Sequence, residues 1–220
     1  MKTNIQNTKI QNNGADNAIV IGVPASVENL QLPNPGLKQF YQDWENRIVW
    51  IDNELEDSNT IPVTKAILQW NRDDKDIPIE ERKPIRILIF SPGGDLYATL
   101  GLVDAMLLSK TPVYTYNMGM AMSGGLLLLL AGSKRFALPR SSVLIHSGSS
   151  GQGGTYEQIE AQTEAYKKLM KMVKDYIIER TSIDSRTHKK FSAKEWYLYI
   201  DDQIKYGIVD ETIEDLEVFM

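Results

Sequence analysis

The chain has 220 residues, 42% of them hydrophobic and 24% charged, enough for one α/β domain with a real core; a second domain is not required. A formal charge of −5 and a pI near 5.2 argue against a general affinity for nucleic acid. The absence of cysteine excludes disulfides, thiolate metal sites and cysteine nucleophiles, and it fits a reducing compartment.

In chain order, Met1 to Asn7 is polar and lacks the apolar core of a signal peptide. Residues 1–18 show no apolar period and are expected to lack fixed structure. An apolar island at 19–24 precedes the breaker Leu32-Pro33-Asn34-Pro35-Gly36, so the predicted organisation is a flexible segment 1–36 and one folded domain 37–220. A short helix through Trp44 opens that domain, followed by a strand over Arg47 to Asp52. Ile61 to Trp70 reads as a helix with Ile61, Ala66, Ile67 and Trp70 on one face. Asp73 to Lys83 reads as a charged loop, and Ile85 to Phe90 as a buried strand. Ser91-Pro92-Gly93-Gly94 turns into a helix bearing Leu96, Leu100, Val103 and Leu107. A strand over Pro112 to Tyr116, a glycine-flanked turn and an apolar helix from Ser123 follow. The apolar run from Ala121 to Ala131 falls short of the roughly 20 residues that span a bilayer, so the protein is expected to be cytoplasmic with no membrane partner. Strands over Arg135 to Leu138 and Val143 to His146 precede a long helix, opened by a Thr155/Gln158 capping box and ending near Arg180. Strand alternating with helix predicts an α/β fold.

The two histidines differ in setting. His146 ends an apolar run beside a small-residue loop, and a satisfied core histidine and a catalytic one are both open. His188, in Arg186-Thr187-His188-Lys189-Lys190, reads as a solvated surface residue. Ser123 lies in Gly119-Met120-Ala121-Met122-Ser123-Gly124-Gly125, where small neighbours permit a sharp strand-to-helix turn and a helix N-terminus offers N–H groups to an oxyanion. A plain structural turn is the competing reading, and Ala121 stands where a Gly-x-Ser-x-Gly elbow has its first glycine. The Ser91 to Gly94 turn could add an anion hole; no phosphate-loop lysine follows it. Asp201-Asp202 and the acidic C-terminal stretch read as solvated faces, and no metal-ligand spacing involving histidine occurs.

Taken together, roughly Phe40 to Ile213 resembles the ClpP peptidase family. The resemblance rests on Arg47 to Ile51, Ser91 to Gly94, Gly119 to Gly125, Lys134 to Pro139, Val143 to His146 and Tyr206 to Asp210. It implies the ClpP/crotonase-like repeated β-β-α fold with Thr155 to Arg180 as a projecting handle helix. It also implies Ser123 as nucleophile, His146 as general base, and the backbone N–H groups of Gly94 and Gly124 as oxyanion donors, with no cofactor. The third, acidic member falls on Glu195, both by counting back from Tyr206 and by counting on from His146; a gapped alternative would place His188 there. Phe90, Gly124 and Lys194 depart from the family's usual Asn, Met and Arg. The implied assembly is a double heptameric ring, a homo-oligomeric tetradecamer, fed with polypeptide by an AAA+ unfoldase ATPase. The sequence leaves two rivals: a catalytically silent ring subunit, and a crotonase-type acyl-CoA enzyme.

Overall fold

The computed structural model describes residues 19–20, 31–32, 35–149, 151 and 153–219. The segment 1–18 and most of the apolar island at 19–24 lie outside the described residues. The chain separates into two compact units, Met1–Asn46 and Arg47–Met220. In the first, β1 (Ile19–Val20) pairs antiparallel with β2 (Gln31–Leu32), and α1 spans Pro35–Glu45. Pro35 suits the first helical position, and Phe40 and Trp44, one turn apart, stack at 6.2 Å. The division expected at 36/37 falls inside α1.

The second unit is a mostly parallel seven-stranded sheet carrying helices, the mixed α/β architecture expected. Its strands run in the order β3 (Ile48–Ile51), β4 (Ile85–Ser91), β5 (Val113–Met122), β6 (Lys134–Ala137) and β9 (Glu211–Thr212), all in parallel pairs. β5 changes partner along its length. Tyr114 to Asn117 pair with β6, whereas Met120 to Met122 pair with β7 (Ser142–Ile145), which in turn pairs antiparallel with β8 (Trp196–Tyr199). Asn117 fastens the branch point: its Nδ2 donates to the Ser142 carbonyl at 3.0 Å and its Oδ1 accepts from Gly119 N–H at 3.1 Å. Gly119 itself has φ +145°, and a Cβ there would meet the Phe90 ring at 2.8 Å. The glycine-flanked turn expected after Tyr116 is thus a bend within a longer strand, because Ala121 and Met122 find partners on β7.

The core lies between β4, with Ile85, Ile87 and Ile89 fully buried, and helices α2 (Asp57–Asp73), α3 (Leu96–Leu108) and α4 (Gly124–Ala131). All eight residues of α4 are buried, the mark of a helix packed on every side. α2 starts a turn earlier than expected, on a Glu56/Asn59 capping box, and Ile61 is 47% exposed while Ala66, Ile67 and Trp70 enter the core. The charged loop after α2 hides a buried carboxylate: Asp74 receives both Arg47 Nη groups, at 2.6 and 2.7 Å, and the Thr111 hydroxyl at 2.8 Å.

α5 (Tyr156–Arg180) opens on the expected capping box and, at 25 residues, is about 37 Å long. Its last turns are anchored: the Tyr176 hydroxyl donates to the Leu127 carbonyl, and Arg180 donates to the carbonyls of Leu130 and Gly132 at the end of α4. Residues 156–162 are all exposed, so the helix projects as expected. α6 (Ser185–Phe191) and α7 (Ile200–Lys205) flank β8. No helix among the described residues is long and apolar enough to cross a membrane.

Candidate active site

Ser123 is the single residue between β5 and α4, held at φ 52° and ψ −117°. A non-glycine residue there costs on the order of 1–3 kcal/mol. The surroundings hold it: its N–H donates to the Leu144 carbonyl of β7 at 3.0 Å, and α4 behind it is buried throughout. The turn lifts the side chain off the sheet end. Because Met122 pairs with Leu144, the residue just past the end of β7 arrives beside it, and His146 Nε2 lies 2.7 Å from Ser123 Oγ. With Nε2 unprotonated, the serine hydroxyl donates to the imidazole, the arrangement of a nucleophile and its base.

A second loop closes on the same point. Gly93 (φ +96°) packs so tightly that a Cβ would meet Ser123 Cβ and the Met122 carbonyl, each at 2.8 Å. Leu55 N–H donates to the Gly93 carbonyl and Asp95 N–H to the Leu55 carbonyl, both at 2.7 Å. Between these bonds, the Gly94 N–H donates to no described residue. The Gly124 N–H is the first of α4 and has no preceding helical turn to bond. Gly124 is also the residue the packing accepts, since a Cβ there would lie 2.8 Å from Thr99 Oγ1. Ser123, Gly124, Gly94 and His146 all line one cleft of about 580 Å³, whose far wall is α5 with Tyr166, Leu169 and Met170. The Tyr166 hydroxyl donates to the Ser147 carbonyl at 3.3 Å and ties the segment after His146 to that wall.

The acidic candidate, Glu195, takes a different partner from His146. β7 pairs Ile145 with Trp196 at the end of the ladder, and His146 and Glu195 are the next residues beyond that pair. The Glu195 side chain is exposed, and its Oε2 accepts from the Tyr197 hydroxyl at 2.9 Å. Among the described residues no hydrogen bond joins Glu195 to His146.

His188 departs from its expected surface setting. It is 8% exposed in α6, with Nδ1 3.3 Å from Ser192 Oγ, and burial lowers its pKa. The basic residues around it, Arg186, Lys189 and Lys190, are exposed while the imidazole turns in. Two participants carried no sequence signal as such. Leu55 holds the Gly93–Gly94 loop through backbone bonds that any residue could make. Tyr197 lies in the short run Trp196-Tyr197-Leu198-Tyr199, whose aromatic content was the available hint of a strand.

Comparison with known proteins adds to this geometry. The family model described as Clp protease matches residues 37–215. The chain belongs to the Clp protease family. An ATP-dependent Clp protease proteolytic subunit of Deinococcus radiodurans is 31% identical over 172 residues, covering 77% of this chain and 81% of that one. The proteolytic subunit 1 of Bacillus cereus is 31% identical over 194 residues, covering 87% and 97%. The proteolytic subunit 2 of Corynebacterium diphtheriae is 31% identical over 173 residues, covering 78% and 84%. The match to the Clp protease family spans every element that builds the cleft.

Proposed function

We propose that this member of the Clp protease family is a serine endopeptidase with Ser123 as nucleophile, His146 as general base and Glu195 as the acid that orients it. The observation that carries the reading is the 2.7 Å contact of Ser123 Oγ with His146 Nε2 beside two N–H groups that bond no described residue. The hydroxyl attacks the scissile carbonyl while the imidazole takes its proton. The resulting oxyanion is received by the N–H groups of Gly94 and Gly124, where the loss of one such donor typically costs about 3 kcal/mol. The imidazolium then protonates the leaving amine, and water hydrolyses the acyl-enzyme by the same steps reversed. A crotonase-type reaction on acyl-CoA has no use for a serine hydroxyl bonded to an imidazole at this point.

The three relatives bear the name of proteolytic subunits of an ATP-dependent protease. On that basis the peptidase domain, from residue 37 onward, works in the cytoplasm as a ring-forming homo-oligomer, a double heptameric ring, supplied with unfolded polypeptide by an ATP-driven unfoldase. Turnover of a fluorogenic peptide tests the chemistry. Ser123→Ala should bring it to background with the oligomer intact, and Glu195→Gln should lower it by at least ~10², since the equivalent neutral swap in serine proteases costs about 10⁴. Full turnover by Ser123→Ala would overturn the reading.

A further inference from the structure

We propose that Tyr197 is a positioning residue that competes with the His146 imidazole for the Glu195 carboxylate. The inference rests on Glu195 as the acid of the site, and it concerns what holds that acid when no substrate is bound. Glu195 immediately precedes β8 and Tyr197 is the second residue of that strand, and the phenol donates to Glu195 Oε2 at 2.9 Å. The ladder between β7 and β8 ends on the pair Ile145–Trp196, which leaves His146 and Glu195 as the next residue of each segment, and glutamate has the longer arm to reach across from there. Among the described residues nothing bonds His146 Nδ1. The carboxylate therefore has two donors to choose between, and in the structure it takes the phenol.

The choice lies in the side chain and not in the strand. On the other face of β8, Trp196 is clamped between the rings of Phe191, stacked at 4.8 Å, and Tyr206, edge-on at 5.4 Å. Glu195 is exposed and Tyr197 is 47% exposed, so a rotation of the glutamate about its own bonds disturbs no packed neighbour. The hydrogen bond to Glu195 also raises the Tyr197 pKa above its ordinary value of 10.0, so the phenol keeps its proton and stays a donor. When Ser123 gives its proton to Nε2, the imidazole becomes a charged donor at Nδ1, and the carboxylate is drawn to it by a stronger bond than the neutral phenol offers. Tyr197 sets how much of that gain is lost in breaking the resting bond.

Steady-state peptide hydrolysis by the full chain tests this. Tyr197→Phe should raise kcat roughly three- to tenfold, the weight of one hydrogen bond to a carboxylate at an exposed site, with KM and the thermal midpoint unchanged. In a Glu195→Gln background the same substitution should do nothing, which a purely structural tyrosine would not predict. Tyr199→Phe removes a phenol from the same face two residues on and should leave kcat as it is. A slower or unchanged Tyr197→Phe, or an equal gain with and without Glu195, would overturn the role of Tyr197 alone. Full turnover by Glu195→Gln would instead remove the acid assignment, and the role of Tyr197 with it.

Discussion

At the scale of single residues, the backbone of Ser123 and the burial of His188 set the two apart. Ser123 occupies a strained conformation that its neighbours enforce, whereas His188 sits relaxed in α6 with a serine partner. His188→Ala should therefore leave hydrolysis per folded molecule unchanged and lower stability by about 1–3 kcal/mol, read by denaturant unfolding. A pH signature accompanies it. Burial, with the Lys174 charge adding to it, holds the folded pKa below the ordinary 6.5. Below pH 6.5 the unfolded chain gains a proton that the folded chain refuses, so this contribution is present above 6.5 and is lost as pH falls toward the folded value. His188→Ala should flatten the stability curve in that window.

At the scale of elements, three segments meet on Asp74. Arg47 enters β3, Asp74 caps the end of α2, and Thr111 precedes β5. The Arg47 guanidinium beside Asp74 is the main cause holding its carboxyl below the ordinary 3.8, against the opposing effect of burial. A depressed carboxylate stabilises the fold above its unfolded pKa, and that contribution disappears as pH falls below 3.8. Asp74→Asn leaves a half-buried guanidinium without its counter-charge and should cost about 3 kcal/mol at pH 7, shrinking in acid, by urea titration. This clamp was not legible in the sequence, where Asp74 is one charge among many in a polar run. Elements with a strong local pattern were legible: the apolar run of β4 and the capping box and period of α5 both stand where expected. The far end of β5 and all of β8 were not, because their pairing depends on β7, which is distant in sequence from β8. For the site, the serine and histidine could be picked out by their neighbours. What joins them at 2.7 Å is the register between β5 and β7, which no local pattern encodes.

At the scale of the whole molecule, α5 divides into two parts. Toward its C-terminus, Leu169, Met170, Val173 and Ile177 line the cleft, so a charge at Leu169 would disturb the site as well as any contact beyond it. Toward its N-terminus, Ile159 is 39% exposed and lies outside the cleft, which makes it the cleaner probe of assembly. Ile159→Asp should shift the particle to smaller size by light scattering if the projecting helix is buried between subunits of the proposed double ring, because a charge there would lose its water. Unchanged size would assign the ring contact to another surface. The chemistry itself is tested most directly by reaction with a fluorophosphonate, which requires a serine activated by a base. Peptide mapping by mass spectrometry should find the adduct on Ser123 and lose it in Ser123→Ala; an unlabelled protein, or a label that persists in that variant, would contradict the assignment of this site.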